Sequence, residues 1–324
     1  MLINGKWQEK WDPYQKSNEQ GEFIRQTSSF RHWITPDGSA GPTGDAGFKA
    51  ESGRYHLYVA LICPWASRTL MLRKLKGLEK VISISVVDPR LSDQGWRFAQ
   101  QENGIAGSDQ DLINGTTYVH QLYTKANQDF TGKATVPILW DKLTNTIVNN
   151  ESADIIQMLN SAFDEWGNKE LNLRPSALLS DIEAYNNWLY EDFNNGVYQA
   201  GFAKSQSAYE IANEKVFNTL NKLEQKLQDG RQYIFKEQLT ETDIRAFVTL
   251  IRFDAAYHGL FKCNLKRICD FPYIQSYMER IYALPGINET VNIDHIKQGY
   301  YSIEALNPMG IVPKGPYLNF IAED

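Results

Sequence analysis

Cysteine is scarce in this sequence. Its 324 residues include three, which are Cys63, Cys263 and Cys269. This number is too small for a disulfide scaffold and is typical of a protein from a reducing compartment. Cys263 and Cys269 do not have the ligand spacing of a zinc site. The sequence therefore predicts a fold held together by its own apolar core, with no metal centre.

Long apolar runs and an excess of basic residues are also absent. The longest uncharged apolar run covers residues 55–65, which is too short to cross a bilayer and includes His56 and Pro64. The first residues show no apolar stretch typical of a signal peptide. With 33 basic and 39 acidic residues, the net charge is −6, which disfavours general binding to nucleic acid or to an anionic membrane. We expect a cytoplasmic protein with neither partner.

The sequence pattern changes from mixed to helical along the chain. Residues 1–50 combine aromatic and turn-forming residues without a steady period, which predicts an ordered N-terminal arm packing on the body. Residues 51–165 alternate strand and helix patterns, as in an α/β domain. Residues 175–324 have the apolar spacing of helices, and Thr240 with Asp243 resembles a capping box. We predict an α/β domain followed by an all-helical domain with a C-terminal extension.

Cys63 is the residue with the clearest chemical role. It follows a predicted strand and precedes a predicted helix that has Pro64 in its first turn. The free N–H groups of a helix N-terminus stabilise a thiolate and lower the pKa of the thiol. Between Ser52 and Leu78 there is no acidic residue, and the basic ones are Arg54, Arg68, Arg73, Lys74 and Lys76. Cys63 is therefore a candidate nucleophile, although free cysteines are often only small buried side chains.

A second cysteine is missing beside Cys63. In a dithiol oxidoreductase, a Cys-x-x-Cys motif supplies a second thiol that resolves the mixed disulfide. Ala66 occupies that position here. A mixed disulfide on Cys63 would have to be cleared by an external thiol, so the sequence predicts a low-molecular-weight thiol as cosubstrate.

Two further motifs suit a thiol ligand of peptide character. Val136-Pro137 precedes a predicted strand, where thioredoxin-like folds have a cis-proline, and this would leave the Val136 backbone groups facing the sulfur. Glu151-Ser152 opens a predicted helix. The helix N-terminus can bind a carboxylate and Glu151 can bind an ammonium group. Glutathione carries both groups on its γ-glutamyl end.

These residues resemble the glutathione transferase superfamily, and most closely its cysteine-bearing Xi class, the glutathionyl-hydroquinone reductases. The resemblance extends over nearly the whole chain, and the Asn-Asn-Gly-Val-Tyr sequence that begins at Asn194 is specific to the class. The matching stretches are residues 23–31, 63–66, 129–132, 135–142, 150–156, 194–203, 239–245, 294–296 and 307–313.

The resemblance implies a thioredoxin-like domain at residues 51–165 and a helical domain at residues 175–324, working as a homodimer. It also implies the reduction of glutathionyl-hydroquinones to hydroquinones, with glutathione as cosubstrate and no tightly bound cofactor. In this reaction, Cys63 would attack the glutathionyl sulfur, and a second glutathione would then release GSSG from Cys63.

The resemblance also assigns the binding residues. Glutathione would be bound by Trp96, Lys133, Val136, Glu151 and Ser152. The aromatic substrate would be bound by Tyr198, Tyr257 and Tyr300, with Tyr198 and Tyr300 also taking part in catalysis by protonating the leaving group. Lys133 stands where the family has an arginine, which keeps the charge but loses the bidentate fork.

Two other functions fit the same residues. One is a broader monothiol oxidoreductase that reduces dehydroascorbate or protein–glutathione mixed disulfides. The other is a non-catalytic binding module on the same fold, in which Cys63 would have an ordinary thiol pKa. A Cys–His hydrolase would need a histidine beside Cys63, and the sequence places none there.

Overall fold

The computed structural model describes residues 1–8, 17–44, 47–100, 104–318 and 320–321. Residues 9–16 and 45–46 of the predicted arm therefore lie outside the described residues. The chain divides into two compact units. The first consists of Met1–Pro13, Gln26–Asn172 and Thr290–His295, and the second of Tyr14–Arg25, Leu173–Glu289 and Ile296–Asp324.

The first unit contains a mixed four-stranded sheet. The elements of this unit are β1 (Leu2–Ile3), β2 (Lys6–Trp7), β3 (Trp33–Thr35), β4 (Gly47–Lys49), β5 (Tyr55–Val59), α1 (Pro64–Leu75), β6 (Ser83–Val86), α2 (Val119–Ala126), β7 (Ile138–Asp141), β8 (Thr146–Asn149) and α3 (Ser152–Ser161). The strand order is β6-β5-β7-β8, with β5 parallel to β6 and antiparallel to β7. β8 is antiparallel to β7. This confirms the predicted thioredoxin-like domain.

The middle of the sheet forms the core of the first unit. All five residues of β5 are buried, as expected for a strand covered on both faces. α1 and α3 pack against each other, and the buried residues of α1 include Leu70, Met71 and Leu72. β5 ends at Val59 and α1 begins at Pro64. This strand-to-helix connection places Cys63 at the first turn of a well-buried helix.

Two small strand pairs form outside this sheet. β1 pairs with β2 in an antiparallel hairpin, and β3 pairs with β4 in parallel. The Leu2 amide donates to the Gly132 carbonyl, and the Gly132 amide donates to the Leu2 carbonyl, both at 3.0 Å. The hairpin is thereby fastened to the loop that precedes Lys133.

The second unit is helical, which confirms the predicted all-helical C-terminal domain. Its helices are α4 (Leu179–Leu189), α5 (Gly196–Gly201), α6 (Gln206–Leu227), α7 (Glu241–Arg252) and α8 (Pro272–Tyr282), and α9 (Ile293–Tyr301) follows. One π-helical segment, Tyr190–Asn194, leads into α5, and another, Phe253–Tyr257, continues α7. These two segments carry the chain towards Tyr198 and Tyr257.

The start of α7 has the predicted capping box. The Thr240 amide donates to the Asp243 carboxylate at 2.8 Å. The same carboxylate accepts a hydrogen bond from the Tyr277 hydroxyl at 2.8 Å and one from the Ile234 amide at 2.9 Å. Since Asp243 is fully buried, these bonds satisfy a group that would otherwise destabilise the fold. They fix the N-terminus of the helix that leads to Tyr257.

Candidate functional site

Cys63 caps the N-terminus of α1. Its backbone is extended (φ −77°, ψ 116°), Pro64 follows in the first turn, and the Cys63 side chain makes no capping hydrogen bond. The first turn of α1 has no acidic residue, whereas its last turn has Arg73 and Lys74. The helix dipole favours an anion at such an N-terminus. Cys63 is partly exposed, so a thiolate there is open to reaction.

The Val136 backbone lies beside the sulfur. The Cys63 thiol donates to the Val136 carbonyl, with 3.6 Å between sulfur and oxygen. The peptide bond between Val136 and Pro137 is cis, as the sequence predicts. The structure therefore brings together two of the sequence-predicted site residues, one through its side chain and the other through its backbone.

Tyr123 joins the segment before β7 to the segment before α3. Its hydroxyl donates to the Thr135 carbonyl at 2.9 Å and accepts a hydrogen bond from the Asn150 side-chain amide at 2.9 Å. The side chain is completely buried, and burial raises the pKa of its hydroxyl. Thr135, which precedes Val136, and Asn150, which precedes Glu151, are thus hydrogen-bonded to the same hydroxyl. Sequence reasoning missed Tyr123, because an aromatic residue in a polar insertion gives no sign of its distant partners.

Glu151 and Ser152 open α3. Glu151 is its N-cap, and one carboxylate oxygen accepts a hydrogen bond from the Ala153 amide at 3.0 Å. The other oxygen accepts a hydrogen bond from the Ser28 hydroxyl at 2.8 Å. Ser152 is buried. The Ser152 hydroxyl also donates to the Glu151 carboxylate, at 3.5 Å, and of the donors that hold this carboxylate Ser28 comes from the arm and was not predicted.

Arg31 fastens the same part of the arm to α3. It forms an ion pair with Asp154, including a hydrogen bond of 2.9 Å from Nη2 to Oδ1. This hydrogen bond raises the pKa of Arg31. The Asn149 side-chain amide also donates to Asp154, at 3.1 Å. Residues 28–31 are thus bound to the start of α3 by two side chains.

Trp96 lies in the segment between β6 and α2. It is partly exposed, and its carbonyl accepts a hydrogen bond from the Val119 amide at 3.0 Å. The Trp7 indole donates to the Asp93 carbonyl at 3.2 Å and stacks on His120 with ring centroids 4.8 Å apart. The β1–β2 hairpin therefore holds the segment that carries Trp96.

Lys133 is partly exposed and follows Gly132. Gly132 is hydrogen-bonded in both directions to Leu2. The backbone at Lys133 is thus fixed by the same hairpin that holds the Trp96 segment.

Three tyrosine hydroxyls meet in the second unit. The Tyr300 hydroxyl lies 2.6 Å from the Tyr198 hydroxyl and 2.8 Å from the Tyr257 hydroxyl. Burial is the main reason that the pKa of Tyr300 is raised well above its usual value. The Phe261 ring packs against all three rings at centroid distances of 5.2 to 5.5 Å. The three tyrosines that the resemblance assigned to one pocket are therefore in contact; we call them the tyrosine trio.

Arg25 is a further residue at the tyrosine trio that sequence reasoning missed. Its guanidinium carbon lies 4.8 Å from the centroid of the Tyr198 ring, and its Nε donates to the Asn195 side-chain oxygen at 2.9 Å. The signal in the sequence was only its place in the matching stretch 23–31.

The other two cysteines are in different surroundings. Burial raises the pKa of the Cys263 thiol to about 12. Cys269 is exposed, and its pKa is raised by partial burial and by nearby Asp254.

Among the residues that the structure describes, no group of three or more His, Cys, Asp or Glu side chains is arranged to hold a metal ion. No described helix is long and apolar enough to cross a membrane.

Comparison with protein families gives two matches. Residues 62–162 match the glutathione S-transferase N-terminal domain, and residues 206–280 match the glutathione S-transferase C-terminal domain. The first range begins just before Cys63 and ends at the end of α3. The second runs from the start of α6 into α8.

Similarity to individual proteins extends over nearly the full length. The chain is 49% identical over 318 residues to the glutathionyl-hydroquinone reductase YqjG of Escherichia coli, covering 98% of this chain and 95% of that protein. It is 44% identical to the glutathionyl-hydroquinone reductase PcpF of Sphingobium chlorophenolicum, covering 98% and 96%.

Solved structures show the same similarity. The glutathione-bound structure of YqjG superposes with a TM-score of 0.89 at 46% identity, covering 99% of this chain and 97% of that one. The Xi glutathione transferase of Phanerochaete chrysosporium superposes with a TM-score of 0.88 at 45% identity, covering 95% and 97%.

Proposed function

The chain belongs to the glutathione S-transferase family, and we propose that it is a Xi-class enzyme that uses glutathione to reduce glutathionyl-hydroquinones to hydroquinones. The observation that carries this proposal is Cys63 at the N-terminus of α1, with Ala66 where a resolving cysteine would stand. Full-length similarity to two glutathionyl-hydroquinone reductases supports the choice of substrate. A monothiol of this kind needs an external thiol, which glutathione supplies.

The first step forms a mixed disulfide. The Cys63 thiolate attacks the glutathionyl sulfur, so that a sulfur–sulfur bond forms and the bond between sulfur and the aromatic carbon breaks. The electron pair of that bond passes to the aromatic carbon, which takes a proton from a tyrosine hydroxyl and becomes the reduced product. The two sulfurs are oxidised to the disulfide as the carbon is reduced.

The second step restores the thiolate. A second glutathione, as its thiolate, attacks the glutathionyl sulfur of the mixed disulfide, and Cys63 leaves as a thiolate. The proton of the glutathione thiol restores the tyrosine hydroxyl. Overall, one glutathionyl-hydroquinone and one glutathione give one hydroquinone and one GSSG.

Binding residues follow from the same proposal. Glu151 binds the ammonium group of glutathione, and Lys133 together with the N-terminus of α3 at Ser152 binds its carboxylates. Val136 supplies backbone hydrogen bonds, and Trp96 covers the ligand. Tyr198, Tyr257 and Tyr300 bind the phenol oxygens of the hydroquinone. The contact between Cys63 and the Val136 carbonyl at 3.6 Å supports the place of Val136 in this set.

The proposal also includes domain limits, location and assembly. Residues 1–50 act as an arm on a glutathione-binding domain at 51–165 and a helical domain at 175–324. A cytoplasmic location is supported by the low cysteine content. A homodimer is supported by the resemblance to the Xi class, and size measurement in solution tests it.

Mass spectrometry of Cys63 tests the proposed chemistry directly. After incubation with a glutathionyl-hydroquinone in the absence of free glutathione, we expect one glutathionyl group on the peptide that contains Cys63. Added glutathione should remove it and release an equal amount of GSSG. Cys269, which is also accessible, is the internal control and should stay unmodified. Turnover without any adduct on Cys63 would disprove the mechanism.

A parallel assay separates the proposed reaction from its alternatives. Dehydroascorbate and a protein–glutathione mixed disulfide are offered in place of the glutathionyl-hydroquinone. A broader monothiol oxidoreductase would turn over all three substrates at similar rates. A binding module would turn over none of them and would leave Cys63 unmodified.

Replacing Ser28 tests the proposed role of Glu151. We expect Ser28→Ala to raise KM for glutathione by roughly 2- to 10-fold, which corresponds to one hydrogen bond, because the carboxylate loses the donor that orients it. The value of kcat should change little, since the interaction is the same in ground and transition states. Steady-state kinetics measure both constants. Ser29→Ala, at the exposed neighbouring residue, should change neither, and an unaltered KM in Ser28→Ala would argue against this role.

A further inference from the structure

The side chain of Arg25 is fixed against the tyrosine trio. Its guanidinium carbon lies 4.8 Å from the centroid of the Tyr198 ring and 5.6 Å from that of the Phe23 ring. Its Nε donates to the Asn195 side-chain oxygen at 2.9 Å. A guanidinium at this distance from a tyrosine ring makes a cation–π interaction. Arg25 thus places a positive charge over one member of the trio.

The arm segment that carries Arg25 is anchored in the same unit. Phe23 is buried and packs on Phe202, with ring centroids 5.7 Å apart. The Lys204 amide donates to the Gly21 carbonyl at 3.0 Å, and the Ser205 hydroxyl donates to the Gln20 carbonyl at 2.9 Å. These contacts hold the backbone that precedes Arg25, so the position of the cation over Tyr198 is built into the fold.

The trio has more protons than internal hydrogen bonds. Three hydroxyls carry three protons, and two hydrogen bonds join them through Tyr300. One proton therefore points away from the trio. Either oxygen can be the donor in each of these bonds, and the third proton is on Tyr198 in the arrangement in which Tyr257 donates to Tyr300 and Tyr300 donates to Tyr198. Loss of that proton would leave a phenolate that accepts a hydrogen bond from Tyr300 and has the guanidinium over its ring.

We propose that Arg25 is a positioning residue that selects Tyr198 as the hydroxyl that gives its proton to the aromatic carbon when the carbon–sulfur bond breaks. This inference rests on the proposed reductase function. In that step, Tyr198 loses a proton, the carbon gains it, and the proton of the second glutathione restores the hydroxyl. Arg25 touches no reacting atom and acts only through Tyr198.

Differences in burial within the trio support this choice. Tyr198 is 8% exposed, compared with 2% for Tyr300 and 0% for Tyr257. The pKa of Tyr300 is raised well above its usual value, chiefly by burial, so Tyr300 stays protonated and can serve as the donor to Tyr198. Tyr198, which has the Arg25 guanidinium over its ring, is therefore also the most exposed tyrosine of the trio.

Other charged groups around the trio are less suited to act on Tyr198. Arg252, at the end of α7, is buried and acts on Tyr300. Cys263, whose amide donates to the Tyr257 carbonyl, stays a neutral thiol because burial raises its pKa. Titratable or charged residues on the adjoining elements include the exposed Glu191, Glu210, Glu214, Lys215 and Asp294, the partly exposed Asp192, Asp254, His258 and Lys297, and the buried Arg245 and His295. Arg25 is the cation that the structure shows over the Tyr198 ring.

Substitution of Arg25 tests the inference. Arg25→Met removes the charge and keeps an unbranched side chain, whereas Arg25→Lys keeps the charge without the planar guanidinium. Lys215→Met, which removes an exposed cation from α6, is the matched control. Tyrosinate absorbance is followed against pH in each protein, and the transition that is missing in Tyr198→Phe is assigned to Tyr198. Circular dichroism confirms that each variant is folded.

We expect Arg25→Met to move the Tyr198 transition upward by about one pH unit, because a neighbouring cation favours the phenolate. The alkaline limb of the kcat profile should move by the same amount. Arg25→Lys should restore part of the shift, and Lys215→Met should cause none. An unmoved Tyr198 transition in Arg25→Met would overturn the inference, even if activity fell. If the wild-type protein lacked reductase turnover, the proposed function would fail, while the absorbance titration would still decide whether Arg25 controls Tyr198.

Discussion

Cys63→Ala protein is expected to have no measurable glutathionyl-hydroquinone reductase activity, and Cys63→Ser should lose at least about 10³-fold in kcat/KM. The alanine variant cannot form the mixed disulfide. The serine variant places a hydroxyl at the same helix N-terminus, but a hydroxyl ionises far less readily than a thiol and attacks sulfur poorly. The rate of hydroquinone formation, measured by chromatography, gives the activity of both variants. The substitution removes a partly exposed side chain, so the fold should be retained.

Cys269→Ala is the control for general effects of losing a thiol. Cys269 is exposed and lies in the helical unit, and its removal should leave the rate within about two-fold, as is usual for surface substitutions. Turnover by Cys63→Ala that depends on enzyme concentration would refute covalent catalysis by Cys63. A fall in both variants would point to loss of fold, which thermal melting would reveal.

Tyr198→Phe should have the second largest effect, lowering kcat by roughly 10²-fold with a smaller change in KM. Removing this hydroxyl removes the proton donor itself and leaves the Tyr300 hydroxyl, 2.6 Å away in the native protein, with Tyr257 as the remaining hydroxyl partner of the trio. Proton transfer to the leaving carbon is needed only in the transition state, so the loss should appear mainly in kcat. Single-turnover measurement of hydroquinone release isolates this step from GSSG formation.

Tyr257→Phe is the matched variant for that experiment. It also removes one hydroxyl hydrogen-bonded to Tyr300, but it keeps the Tyr198 hydroxyl and the guanidinium over the Tyr198 ring. We expect a decrease in kcat of less than about ten-fold, which is smaller than the roughly 10²-fold or larger effect of removing a proton donor. Equal losses in the two variants would mean that the trio acts only as a binding surface. A larger loss in Tyr257→Phe would place the proton donor at the other end of the trio.

Features that depend on local sequence were predictable. The capping box at Thr240 and Asp243 was confirmed because its residues are three positions apart and stabilise their own helix. The order of strand β5, Cys63 and helix α1 was also predictable, because it depends on residues that are close together in the sequence. α2, in the largely polar segment between β6 and β7, was not predicted, because it has eight residues and its buried side chains are those of Val119, Leu122 and Tyr123.

Long-range contacts of the arm were not predictable. Ser28 contacts Glu151, which is 123 positions away, and Arg25 contacts Asn195, which is 170 positions away. Residues 25–31 belong to no strand or helix and have no periodic pattern from which such partners could be inferred, because their side chains are ordered by contacts with the body. The roles assigned to all the site residues stay predictions; these residues are Cys63, Trp96, Lys133, Val136, Glu151, Ser152, Tyr198, Tyr257 and Tyr300.

The cap of α1 has a thermodynamic consequence. Cys63 is the N-cap of this helix, its side chain makes no capping hydrogen bond, and the first turn has no acidic residue, so a thiolate at Cys63 supplies the negative charge that the helix N-terminus favours. By linkage, the free energy by which the folded helix favours ionisation of the Cys63 thiol equals the free energy by which the thiolate stabilises the folded state. The mixed disulfide removes that charge. The intermediate therefore lacks that contribution, and a comparison of melting temperature between the thiolate and the mixed-disulfide forms measures its loss together with the contacts that the bound glutathionyl group adds.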